Sequence, residues 1–398
     1  MAAIIMENIP IIQMLIENGA DINLSDLDDS PLTLAIRTDE RIAAMLIDAG
    51  ANIEKGGLGK YNMGNTPLAV AIERDNIELV KRLLSMGAKI QVGESSNVLI
   101  AASGSMYRYL NNDMLSLLII AGLNVNQQTS DGFTALMGMA QCGNIEGVRN
   151  LIKAGADVSV KKNDDDYEHN YTALHNSLFF GGNSFYKDIN SRFEVVKMLL
   201  EAGADPNIKV RGQLLFQGDG GLIHGWGEYS PLMLSRDAEI ARLLLDYGAR
   251  IDEQGEYGRT ALMIYNLSSY YYDIVQLLIE RGSDINIQNK TGQTALHFAI
   301  WACNTNTIKF LVNSGADTSI RDDYGLSPIA TVELFFERFS SNHEANNELE
   351  KILEDAGAKL EEKDKDLLIK YKEKPYDSFY SFYEYFWSSV LNFGFSDR

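Results

Sequence analysis

The chain is poor in the residues and motifs that build reactive sites. Among its 398 residues are only two cysteines, Cys142 and Cys303. They have no metal-ligand spacing and a disulfide framework is not expected, which fits a reducing compartment. Of the five histidines, His169, His224 and His343 stand isolated in loop-like stretches. There is no H-E-x-x-H, no G-x-S-x-G and no kinase signature set. Carboxylates are plentiful, but nothing points to a paired-carboxylate hydrolase. Gly59-Lys60 is followed by Tyr61 where a phosphate loop has Ser or Thr, and Glu54 stands where it has Gly. The run Asp164-Asp165-Asp166 lacks the alternating ligands, central Gly and distal Glu of a calcium loop. No catalytic residue, cofactor or metal is therefore expected.

Positive charge is also scarce. Lys and Arg number 35 against 55 Asp and Glu, a net charge of −20. Such a field repels a phosphate backbone, so nucleic acid is excluded as a partner and a basic protein surface is favoured. The alternative is that acidity only keeps a long array soluble. Met1 to Met6 has neither a basic region nor a long apolar run, so no secretory signal is expected there, and the localisation expected is cytoplasmic. A membrane-spanning segment is not expected either.

What is present is repetition. A closing signature recurs as Gly19-Ala20-Asp21, Gly50-Ala51-Asn52, Gly87-Ala88-Lys89, Gly122-Leu123-Asn124, Gly155-Ala156-Asp157 and Gly203-Ala204-Asp205. It continues as Gly248-Ala249-Arg250, Gly282-Ser283-Asp284, Gly315-Ala316-Asp317 and Gly357-Ala358-Lys359. An opening signature recurs as Ser30-Pro31-Leu32, Thr66-Pro67-Leu68, Thr134-Ala135-Leu136, Thr172-Ala173-Leu174-His175, Ser230-Pro231-Leu232, Thr260-Ala261-Leu262, Thr294-Ala295-Leu296-His297 and Ser327-Pro328-Ile329. Between them run two short helical patterns. Val148, Leu151 and Ile152 make an apolar stripe, Thr134 can cap the first helix, and Gly155 suits the left-handed residue that ends the second. One such unit cannot bury its own apolar faces and needs neighbours.

With an interval of about 33 residues and a T-P-L-H-x-A-like opening, the chain resembles the ankyrin-repeat family over roughly residues 1 to 358. The resemblance implies an all-α fold, an ankyrin-repeat solenoid of about ten helix-turn-helix repeats. No opening motif precedes Gly19, so the first repeat is incomplete, which leaves room for further chain upstream. Insertions are expected near 160–170, 181–192 and 207–227, the last a finger that is either mobile or ordered by a partner. Residues 359–398 divide into a charged linker and an aromatic C-terminal helix from Tyr376 to Phe393. That helix is expected to cap the last repeat through Phe379, Tyr383, Phe386 and Val390.

The resemblance also implies that His175 and His297 are structural, bonding to nearby backbone, and that partners dock on the concave face formed by hairpin tips and first-helix edges. Carrying the family's exposed positions over gives Phe133, Tyr171, Phe179, Trp226, Tyr229, Tyr257, Trp301 and Tyr324 as candidate partner-binding aromatics. Arg259, Lys290, Gln293, Asp323 and Leu326 lie beside them. The rings are either interface anchors or a satellite core under the insertions. The function expected is a non-enzymatic scaffold binding another protein. The alternatives are a targeting arm of a larger enzyme or effector, or a membrane-surface adaptor acting through the tail. The sequence carries no signal for oligomeric state.

Overall fold

The computed structural model describes residues 1–25, 29–56, 66–90, 111–129, 132–162, 171–178, 189–218, 221–339 and 343–372. The expected tail helix lies outside them, as do the acid run, the degenerate opening at 96–99, the insertion at 106–110 and Phe179. The chain divides into two compact units, one ending at Ala204 and the other continuing from Asp205.

The first unit holds α1 (Ala2–Ile5), α2 (Ile9–Glu17), α3 (Pro31–Thr38), α4 (Glu40–Asp48), α5 (Pro67–Glu73), α6 (Ile77–Ser85), α7 (Asn112–Ile120), α8 (Ala135–Gln141), α9 (Ile145–Lys153), α10 (Ala173–Leu178) and α11 (Ile189–Glu201). The second holds strands β1 (Val210–Gly218) and β2 (Gly221–Tyr229), then α12 (Pro231–Leu234), α13 (Ala238–Asp246), α14 (Ala261–Tyr265) and α15 (Tyr272–Glu280). It ends with α16 (Ala295–Trp301), α17 (Thr305–Asn313), α18 (Pro328–Phe339), α19 (His343–Asp355) and α20 (Glu362–Lys372).

Side-chain oxygens start these helices. Thr66, Thr134 and Thr260 accept the N–H of the third helical residue of α5, α8 and α14, and Ser30 and Thr33 form a reciprocal capping box on α3. The second helix of a pair begins at Asn or Asp instead: Asn8, Asp39, Asn76, Asn111, Asn144, Asp237 and Asn304 each accept a helical N–H. The closing glycines, from Gly19 to Gly357, carry φ between +74° and +96°. A Cβ on any of them would meet nothing within 4 Å. The demand for glycine there is therefore conformational, not steric.

The two helices of a pair bury different amounts. In α16 every residue from Ala295 to Trp301 is buried, because the helix touches its own partner α17 and the first helices of both neighbours, α14 and α18. Second helices bury one face only. In α9 that face is Gly147, Val148 and Leu151, each large apolar side chain contributing about 1.5–3 kcal/mol.

Hydrogen bonds also tie successive turns. The residue four after a closing glycine reaches the next turn: Asn126 Nδ2 donates to the Gly155 carbonyl at 3.0 Å, and Asn126 Oδ1 accepts from Asp157 N at 2.7 Å. Asn207 makes the same pair with Gly248 and Arg250, at 3.0 and 2.8 Å, and Asn286 with Gly315 and Asp317, at 3.4 and 2.8 Å. Asn23, Glu54 and Asp252 fill the place with an acceptor for Asn52, Lys89 and Asp284. Ser159 and Ser319 bond only within their own turns, to Asp157 and Asp317.

Two elements differ from expectation. The finger at 207–227, expected in an all-α fold to be mobile or ordered by a partner, is built from strands. It is an antiparallel hairpin in register from Val210↔Tyr229 to Gly218↔Gly221, the one sheet among the described residues of an otherwise helical chain. Within the stretch read as a charged linker, α20 closes the last described repeat. Leu368, 5% exposed, joins Leu326, Ala330 and Leu334.

Arg321 clamps this helix in place. Its guanidinium pairs with both oxygens of Asp364, reaches Glu361 Oε2 at 3.0 Å and donates to the Gly325 carbonyl at 2.6 Å. Asp364 is fully buried. Burial works to raise its carboxyl, but the Arg321 hydrogen bonds and the Glu361 N–H hold it below the usual carboxylate range.

Candidate partner-docking site

In the first unit, the tip ahead of α8 and the bridge ahead of α10 meet at Lys162. Its N–H donates to the Tyr171 carbonyl at 2.7 Å, and its ammonium lies 5.9 Å from the centre of the Phe133 ring. Phe133 and Tyr171 are both half-buried. Burial pushes the Tyr171 phenol up to about 12, so it remains a neutral hydroxyl at physiological pH. The Tyr171 ring meets His175 edge-on at 6.4 Å. His175 is buried and its Nδ1 accepts the Thr172 N–H at 3.3 Å.

In the second unit, neighbouring tips join by backbone. Lys290 N donates to the Tyr257 carbonyl at 2.8 Å, and Asp323 N donates to the Thr291 carbonyl at 3.1 Å. Tyr257 and Tyr324 are half-buried beside exposed Lys290 and Asp323. His297 Nδ1 accepts the Thr294 N–H at 3.1 Å, and its other nitrogen faces the Leu326 carbonyl at 3.5 Å. Complete burial pulls this imidazole down to about 4. It is a neutral brace between adjacent repeats, as the resemblance implies.

The position just before the opening Thr or Ser does not lie on an open face in this unit. Tyr229 is 5% exposed, Arg259 6%, Gln293 1% and Leu326 0%. Tyr229 ends β2 at the base of the hairpin, where the strand meets α12 and the turn Glu256–Gly258. Trp301 is also buried, at 7%, because α16 is covered on both sides. Both rings belong to the interior. Trp226 sits on β2 opposite Gln213, and its side chain lies outside the described residues. The half-buried aromatics are thus Phe133 and Tyr171 in the first unit, and Tyr257 and Tyr324 in the second.

The sequence places Tyr257 and Arg259 at the tip of the turn Glu256–Gly258 but does not show the contact between them. Tyr257 has φ +60° and is followed by Gly258 at +71°. Its ring stacks on Arg259, 5.0 Å from guanidinium carbon to ring centre. Gly255 is needed for close approach, since a Cβ there would stand 2.3 Å from the Glu228 carbonyl. Arg211 on β1 pairs with Glu256 at 3.8 Å. Burial pulls the Arg259 guanidinium down to about 10, opposed in part by Tyr229, Tyr257 and Glu256. The one visible sign was an Arg where related tips carry Gln or Leu.

No group of three or more potential metal ligands occurs among the described residues. None of their helices is long and apolar enough to cross a membrane.

A family model for ankyrin repeats in three copies matches residues 1–94, 99–210, 214–289 and 232–322. Among curated proteins, the E3 ubiquitin-protein ligase KEG of Arabidopsis thaliana is 25% identical over 210 residues, 49% of this chain and 12% of that protein. The ankyrin repeat and KH domain-containing protein mask-1 of Caenorhabditis elegans is 27% identical over 208 residues, 50% of this chain and 7% of that protein. A putative ankyrin repeat protein of fowlpox virus, FPV219, is 30% identical across 34% of this chain and 38% of its own length. The matched stretch is thus a minor part of each relative. The repeat modules are protein-interaction modules, and this chain belongs to the ankyrin-repeat family.

Proposed function

We propose that the protein is a non-enzymatic scaffold that docks another protein through its hairpin tips. The observation that carries this reading is the set of half-buried rings at those tips. Phe133, Tyr171, Tyr257 and Tyr324 are each half-buried at the tips. Large rings placed this way bury much area on binding while losing little rotamer freedom. The charge of −20 favours a partner with a basic surface, whose association slows as salt rises.

The test is affinity capture with the full chain, followed by titration of the identified partner. Replacing the four rings by Ala is expected to weaken binding at least tenfold, with individual losses above about 1 kcal/mol at two or more of them. Unchanged affinity would remove these rings from the interface.

A second reading is that the array targets a larger enzyme or effector. It draws on the small share of relatives such as the plant ubiquitin ligase that the array accounts for. An open reading frame extending upstream of Met1 into an enzymatic domain would favour it.

A further inference from the structure

Arg259 is 6% exposed, yet its Nε and Nη2 have no hydrogen-bond partner among the described residues. An unpaired buried guanidinium is costly, and buried charges are ordinarily paired. It lines a narrow cleft between β2 and the turn Glu256–Gly258, walled by Gly227, Tyr229, Met233, Gly255 and Tyr257. The cleft is too narrow to admit water, so solvent does not satisfy the two donors. Glu256 is drawn to Arg211.

Nε and Nη2 form one edge of the guanidinium, the fork that takes both oxygens of a carboxylate in parallel hydrogen bonds. Tyr257 stacks on the guanidinium, 5.0 Å from its carbon to the ring centre, and is held at φ +60°, where non-glycine residues are strained. Thr291 and Tyr324, at the same register of the two following tips, are not in that region. Register also supplies an internal control. The place of Arg259 is filled by Gln293, whose Oε1 accepts from Asn289 Nδ2 and Thr291 Oγ1, and by Leu326, which needs no partner.

We propose that Arg259 is a gated carboxylate-binding residue: Tyr257 swings off the guanidinium, and a carboxylate of the docking protein enters the crevice and closes the fork. This deepens the docking function and rests on it for the source of the carboxylate. A monoanionic carboxylate suits the site better than a phosphate dianion, which the net charge of −20 repels more strongly.

The test uses the full chain and no protein partner. Arginine Nε–H resonances are followed by NMR during titration with acetate at constant ionic strength, with inorganic phosphate as a parallel arm. The Arg259 resonance is expected to shift saturably with acetate while Arg242 and Arg250 follow only bulk ionic composition. Tyr257→Gly, which tolerates the positive φ, is expected to tighten the response several-fold. Arg259→Leu is expected to abolish it and raise the melting temperature by about 2–4 °C, because an unpaired charge has been replaced by the residue the register accepts at 326. No saturable shift in either wild type or Tyr257→Gly would overturn the proposal. A preference for phosphate would overturn it, and so would a destabilised Arg259→Leu, which would mark a structural arginine. None of these failures touches the partner-capture result, so the broader docking function stands or falls separately.

Discussion

The tips ending at Arg259 and Leu326 occupy the same register and are buried alike, at 6% and 0%. Leu326 is covered from within the chain, by Leu368 of α20. Arg259 lies under Tyr257 beside the base of the hairpin, and two of its donors are unmatched among the described residues. The fold fixes that this position is inside. What lies over it decides which residue can stand there. A leucine is self-sufficient, Gln293 brings partners from its own turn, and the arginine is left with an unmet chemical need.

The largest way to break this comparison is to uncover Leu326. Arg321→Ala leaves Asp364 buried without its cation, which is expected to cost about 3–5 kcal/mol. Denaturant melting should show the loss, and hydrogen exchange should show α20 released while the helices of the first unit keep their protection. Gln293→Leu sharpens the comparison. It removes the acceptor of Asn289 Nδ2 and Thr291 Oγ1, at an expected cost of about 1–3 kcal/mol. Arg259→Leu, the same replacement at the same register one repeat earlier, is expected to stabilise.

The smallest net effect is on pH dependence, because two groups oppose each other. His297 titrates in the fold near 4 against an ordinary 6.5, so its stabilisation is present above 6.5 and lost as pH falls through 4. Asp322 is raised to about 7 by burial, against two backbone N–H groups that favour its charge. Its stabilisation is full below its ordinary 3.8 and lost as pH rises through 7. Asp322→Asn is expected to remove the loss on the neutral side and leave the acid-side loss intact, read from melting temperatures across the pH range.

Most of the helix pairs were legible because their signals are local. A left-handed glycine ends one helix, a hydroxyl caps the next, and an apolar stripe lies between them. The hairpin was missed because its glycine-rich strands lack a strong pattern, although Asp219-Gly220 between them is a recognised hairpin signal. The clamp from Arg321 to Asp364 joins residues far apart in sequence, and its only local trace is Asp364 reaching back to the Glu361 N–H. The candidate site was legible as a set of tips but not as a set of exposed rings. Burial of Tyr229 and Trp301 follows from what neighbouring elements place over them, which the residues themselves do not encode.

The most direct test of the docking function is hydrogen exchange of the full chain with and without its captured partner. Slowed exchange is expected at the described residues of the tips, at 129, 132–135, 160–162, 171–175, 255–262 and 289–297, with the second helices α9, α13 and α15 unchanged. Protection confined to those second helices would contradict it.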